Sequence, residues 1–167
     1  EPYQCVAPKP CTWNENSQDS TILNECIGGY TVSGKAESNE IHLTKSSASM
    51  VIGGGYHYLQ KGDVLKNIVT LENNSEAASV YGGFSTSGNA DGNEVTGSDS
   101  SISFAVYGGW GTTGASGNKV TLDKVTVSGN VGGGKTDSGA ASGNEVSLSN
   151  GTTFKGELYA GYTDNGD

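Results

Sequence analysis

Few residues of this chain are typed and spaced for chemistry, and the first test is whether any set of them forms a site. The stretch Gly129-Asn130-Val131-Gly132-Gly133-Gly134-Lys135-Thr136 satisfies the phosphate-loop pattern G-x-x-x-x-G-K-T. That pattern works when a strand feeds a glycine loop that opens a helix, whose N-terminal amides face the phosphates. The next seven residues, Asp137-Ser138-Gly139-Ala140-Ala141-Ser142-Gly143, carry no helical pattern, so nucleotide binding is not expected. His42 and His57 have no nucleophile in a fixed register beside them, and no G-x-S-x-G elbow occurs among the serines. Glu40, Glu94 and Glu145 recur in one position, interrupted by Ile68 and Lys119, and read as a solvated face. No catalytic residue and no cofactor is expected.

Cys5, Cys11 and Cys26 all lie near the start of the chain. The segment from Cys5 to Cys11 is a short loop stiffened by Pro8 and Pro10, and a Cys5–Cys11 disulfide is favoured, which implies an oxidising compartment. A bond from either to Cys26 stays open, because connectivity cannot be read from sequence. Cys26 otherwise reads as a small buried hydrophobe, in the position that Val51, Val80, Val106 and Leu158 fill later. The spacing fits no zinc pair, so no metal is expected.

The aromatic residues are the remaining candidates. Tyr30, Tyr56, Tyr58, Tyr81, Phe84, Tyr107, Trp110, Tyr159 and Tyr162 fall at or just after glycine pairs. Tyr81, Tyr107 and Tyr159 form one column; Tyr30, Phe84, Trp110 and Tyr162 form another. On a period-two strand the two columns point to opposite sides unless the glycines bend it, so one is expected inside and one outside. An exposed aromatic column suits a sugar or a protein partner, against the plainer reading that the rings pack the fold. Tyr56, His57 and Tyr58, in the longest glycine-to-asparagine segment, join Tyr81, Tyr107 and Tyr159 as candidate ligand contacts.

What must position these rings is a repeat. Val80-Tyr81-Gly82-Gly83-Phe84 returns as Val106-Tyr107-Gly108-Gly109-Trp110, with weaker copies at Ile27-Gly28-Gly29-Tyr30, Val51-Ile52-Gly53-Gly54, Val131-Gly132-Gly133 and Leu158-Tyr159-Ala160-Gly161-Tyr162. Copies start roughly 24 to 29 residues apart, a period that signals stacked architecture. A second phrase alternates with the first: Asn39, Asn67, Asn93, Asn118 and Asn144 each open a period-two strand, such as Asn118-Lys119-Val120-Thr121-Leu122. Ile41, Val69, Val95, Val120 and Val146 point one way with Leu43, Leu71, Leu122 and Leu148; Ile68 and Gly97 depart from the pattern.

From each Asn to the next glycine pair the count is nearly constant, whereas the return varies and is rich in Gly, Ser, Thr, Asn and Asp, so it reads as a loop. The pattern predicts an all-β parallel β-helix of about five coils over residues 22–167, with residues 1–21 as an N-terminal cap. In-phase asparagines would form a side-chain amide ladder or accept a left-handed turn, and both uses suit a strand start. Gly82, Gly83, Gly108 and Gly109 should mark a tight bend or a close approach of coils.

Composition agrees with that architecture. Hydrophobic residues make up only 33% and glycines number 27, thin material for a globular core but enough for a narrow column repeated in phase. The net charge of −9 without a basic stripe argues against nucleic acid. No run approaches the roughly 18 to 20 apolar residues that span a bilayer, and no secretory leader is visible, so the targeting segment of an exported form is expected to have been removed or to lie outside this sequence.

The phrases V-Y-G-G-aromatic and S/T-x-G-x-A-x-G-N-x-V-T-L, recurring in one order over residues 22–167, resemble the passenger repeats of large type V autotransporter adhesins, especially fusobacterial ones. The resemblance implies an exported, rod-shaped passenger on the outer surface of a Gram-negative bacterium, followed by a membrane barrel that this chain lacks. It also implies attachment to host cells or other bacteria through a surface protein or glycan. The chain is then expected to be a monomeric, non-catalytic piece of a longer adhesin. The alternatives are a purely structural stalk, and third a polysaccharide-processing β-helix enzyme, a class known on this fold but needing a charged groove.

Overall fold

The computed structural model describes residues 11–14, 22–30, 34–54 and 62–166. Every strand pairing among them is parallel, and the chain winds as a β-solenoid of about five turns, as the repeat predicts. A six-stranded sheet stacks Cys11–Asn14, Glu40–Thr44, Ile68–Glu72, Glu94–Ser98, Lys119–Asp123 and Glu145–Ser149 in that order. The first of these strands lies inside the segment read as a cap: Cys11 pairs with Ile41 and Trp13 with Leu43, so its backbone already follows the coil path.

The second sheet is eight-stranded. Ile22–Ile27, Ser47–Gly54, Glu76–Ser85 and Ser101–Gly111 run as continuous strands, after which each coil contributes two pieces, Thr126–Val127 with Val131–Thr136 and Thr153–Phe154 with Leu158–Thr163. The variable return segment is more than the loop expected. Ala36–Glu37, Val64–Leu65 and Ala90–Asp91 form a third, narrow sheet. Small apolar residues explain it: Ala36, Val64 and Ala90 are buried in it, and Ala115 is buried in the return segment of the following coil, too few and too short to stand out as a periodic signal.

Alternation builds the core on the first sheet. Ile41, Leu43, Val69, Leu71, Val95, Val120 and Leu122 are buried and meet Val51, Val80, Val106 and Val131 from the second sheet in one cluster. Parallel in-register pairing stacks like on like, putting Val95 beside Val69 and Val120, while Gly97 breaks the leucine column between Leu71 and Leu122. Cys26 stands in the inward column of the second sheet beside Val51, buried and with a free thiol. Burial raises that thiol's pKa to about 11.

The asparagines form the ladder. The Asn39 backbone N–H and Nδ2 both donate to Asn67 Oδ1, at 2.9 and 2.8 Å, and the same double bond repeats from Asn67 to Asn93, Asn93 to Asn118 and Asn118 to Asn144. The second Nδ2 proton is satisfied as well along the ladder from Asn67 to Asn144. It goes to the carbonyl of Ala36, Val64, Ala90 or Ala115 in the preceding coil. The left-handed turn considered as the alternative exists, but the preceding residue takes it: Ser38, Lys66, Gly92, Gly117 and Gly143 have φ of 58°, 54°, 65°, 65° and 63°. The corner and the ladder therefore use adjacent residues for separate tasks.

Candidate recognition surface

The chemically typed residues do not converge. His42 Nε2 lies 2.8 Å from Glu72 on the outer face of the first sheet, and Thr44 donates to the same carboxylate. Those hydrogen bonds, from His42 and then Thr44, hold the Glu72 carboxyl below its usual range. Among the described residues no group of three or more His, Cys, Asp or Glu side chains could hold a metal ion. The phosphate-loop lookalike ends in the strand Val131–Thr136, where buried Thr136 donates its hydroxyl to Ser138 O.

The aromatic side chains do converge, and not as a period-two strand predicts. Val80 and Val106 face the core, and Tyr81 and Tyr107 face out. The two glycines after each tyrosine both turn inward: a Cβ on Gly82 would meet Gly108 O and Asn93 Cβ, and one on Gly83 would meet the Asn93 amide. Two consecutive inward positions shift the alternation by one residue. Phe84 and Trp110 therefore emerge on the same side as Tyr81 and Tyr107, and the two columns form one strip instead of an inner and an outer one.

The rings within the strip touch. Tyr81 stacks on Tyr107 with centroids 5.8 Å apart and planes 17° apart, and Phe84 meets Trp110 edge-on at 5.5 Å. Tyr81 packs on Phe84 at 5.2 Å and Tyr107 on Trp110 at 5.5 Å, while Tyr159 and Tyr162 continue the strip at 5.2 Å from each other. One coil interrupts the aromatic sequence. There, Gly132 pairs with Tyr107 and Tyr159, and Lys135 pairs with Trp110 and Tyr162. The glycine pair of this coil is accordingly Gly133-Gly134, one position later than its phrase suggested. Tyr107 and Tyr159 lean together over Gly132 to 6.1 Å, and Lys135 Nζ sits 4.2 Å from the Trp110 ring centroid and 5.7 Å from that of Tyr162. The Trp110 indole N–H donates to Asp137 at 3.3 Å.

Exposure divides the strip. Tyr107 is only 5% exposed and serves as its packed centre, whereas Tyr162 is 41% exposed and Phe84, Trp110, Lys135 and Tyr159 are half-buried. Burial raises the Tyr81 phenol, and burial together with the Tyr107 hydroxyl raises that of Tyr159 far above its usual value. Of the six candidate contacts, the structure gathers Tyr81, Tyr107 and Tyr159; Tyr56, His57 and Tyr58 lie outside the described residues, as does Cys5. Phe84, Trp110, Lys135, Asp137 and Tyr162 were not among those contacts. The sequence signal for the rings was an aromatic three residues after each column tyrosine, across a glycine pair.

The fold and this strip define a β-solenoid with an aromatic outer face. No family model, curated protein or solved structure matches the chain.

Proposed function

We propose that this chain is a non-catalytic β-solenoid segment of an exported surface adhesin, attaching to host cells or other bacteria by docking a glycan or protein on its aromatic strip. One observation carries the reading: six aromatic rings from three coils form a continuous patch on the outside of the second sheet, apart from the core cluster. Aromatic groups gathered outside a core are the usual material of recognition surfaces, because they bury large area for little conformational entropy. Lys135 and Asp137 supply polar partners at its edge.

A stalk is the second reading, and the near-complete burial of Tyr107 favours it, since rings packed on one another also stiffen a rod. The test is binding of the purified protein to a glycan array, host cells and bacterial cells, beside a Trp110→Ala, Tyr162→Ala double variant. Binding that the variant loses while keeping its β-rich circular dichroism and melting temperature supports recognition by the strip. Absence of binding by the parent protein to every surface refutes it and leaves the stalk.

A further inference from the structure

Gly132 does more than interrupt a column. A Cβ at this position would lie 2.6 Å from Tyr159 Cε2 and 2.7 and 2.9 Å from Tyr107 Cδ1 and Cε1. The missing side chain thus lets two tyrosines, which belong to coils separated by a whole coil, bring their ring edges to one point. The edges that flank this point include Cε carbons, the positions ortho to each hydroxyl, and the ring centroids lie 6.1 Å apart. Tyr81 and Tyr107 are nearer by register, but their rings lie face to face with planes only 17° apart, and no vacant position separates them.

We propose that Tyr107 and Tyr159 are a built-in site for oxidative cross-linking, forming a dityrosine that joins two coils of the second sheet. The co-reactant is a one-electron oxidant, such as the oxidised haem of a peroxidase working with hydrogen peroxide. Each phenol gives one electron to the oxidant and its hydroxyl proton to water. The two phenoxyl radicals then couple, ortho carbon to ortho carbon, and the two ring hydrogens at the new bond shift to the oxygens, restoring both phenols. Two electrons and two protons leave for one carbon–carbon bond made.

Tyr107 is too buried for direct attack by an enzyme, and the strip supplies a route. Trp110, half-buried, has its ring centroid 5.5 Å from that of Tyr107, and its indole N–H already donates to the Asp137 carboxylate, a base placed to take the proton when the ring is oxidised. Tyr162, on the exposed end, stands 5.2 Å from Tyr159. Oxidation of either outer ring is passed inward when the neighbouring tyrosine reduces it. The strip then collects oxidising equivalents at its exposed rings and delivers them where two phenols face each other. This chemistry requires no bound partner and is independent of the adhesive reading.

The experiment treats the dilute purified protein with a peroxidase and hydrogen peroxide, then measures blue dityrosine fluorescence, intact mass and the cross-linked peptides. The expected product is a monomer lighter by two hydrogens, with Tyr107 joined to Tyr159. Tyr107→Phe and Tyr159→Phe should each abolish it, Tyr81→Phe should keep it, and Gly132→Ala, which pushes the ring edges apart, should lower its yield while leaving both phenols in place. Absence of monomeric dityrosine, a link mapped to Tyr81 and Tyr107, or links only between molecules would overturn the assignment.

Discussion

Asn93 sits at the middle of the amide ladder, where water does not reach, and its truncation gives the sharpest test of what holds the coils together. Its Oδ1 accepts from the Asn67 N–H at 3.0 Å and the Asn67 Nδ2 at 2.9 Å, and its Nδ2 donates to Val64 O and Asn118 Oδ1. Asn93→Ala removes all four. At about 1 kcal/mol for each net hydrogen bond the loss is about 4 kcal/mol, and the Asn67 N–H, left buried without its acceptor, adds about 1–2 kcal/mol. Asn144, at the last rung, accepts from the Asn118 N–H and Nδ2 and donates to Ala115 O but has no following rung to donate to, and it is only partly buried, so water replaces much of what is removed and Asn144→Ala should cost about 1–2 kcal/mol. Urea unfolding gives both values, and amide exchange at Asn67 reports the central rung even if the coils open separately. Equal costs at the two positions, or a loss below about 1 kcal/mol at Asn93, would show that strand pairing and core burial hold the coils without the ladder.

Gly83→Val tests the glycine pair: the new Cβ would stand 2.6 Å from Asn93 Nδ2 and displace the rung, so a lowered melting temperature is expected and an unchanged one counts against the close approach. Tyr159 sets an alkaline limit. Its folded-state pKa lies above the unfolded value of about 10, so its contribution is intact below about pH 10 and is lost as pH rises further, when only the unfolded chain gives up the proton. Tyr159→Phe should flatten that decline in denaturation measured at about pH 9 and about pH 11, and an identical slope refutes the assignment. Cys26, with its thiol pushed up to about 11 by burial, should resist thiol reagents at neutral pH until the first coils open; labelling as fast as in urea would contradict its place in the core column.

The inward columns were legible because parallel stacking repeats the same residue type at the same place, so Val69, Val95 and Val120 announce one another. The ladder was half legible. Asparagine at a fixed phase serves a turn or an amide stack equally well, and what separates them is the φ of the preceding residue, which Ser38 and Lys66 adopt as well as glycine does. The third sheet was hidden, since strands as short as Ala36–Glu37 carry no alternation to read. The aromatic strip was legible in its rings but not in its geometry or in Lys135 and Asp137: counting by twos across Gly82-Gly83 sends Tyr81 and Phe84 apart, and only the inward turn of both glycines brings them together.

That turn links the scaffold to whatever the surface does. Gly83 lacks a side chain because Asn93 occupies its space, so the ladder dictates the glycine, the glycine shifts the alternation, and the shift puts Phe84 and Trp110 beside the tyrosine column. A change in the ladder is therefore felt outside. If Asn93→Ala frees Gly83 to return to ordinary alternation, Phe84 should rotate away from Tyr81 before the coils separate, and near-ultraviolet circular dichroism of the ring cluster should weaken at urea concentrations where far-ultraviolet β signal persists. Coincident loss of both signals would mean that the strip is held by its own ring contacts and owes nothing to the rung beneath it.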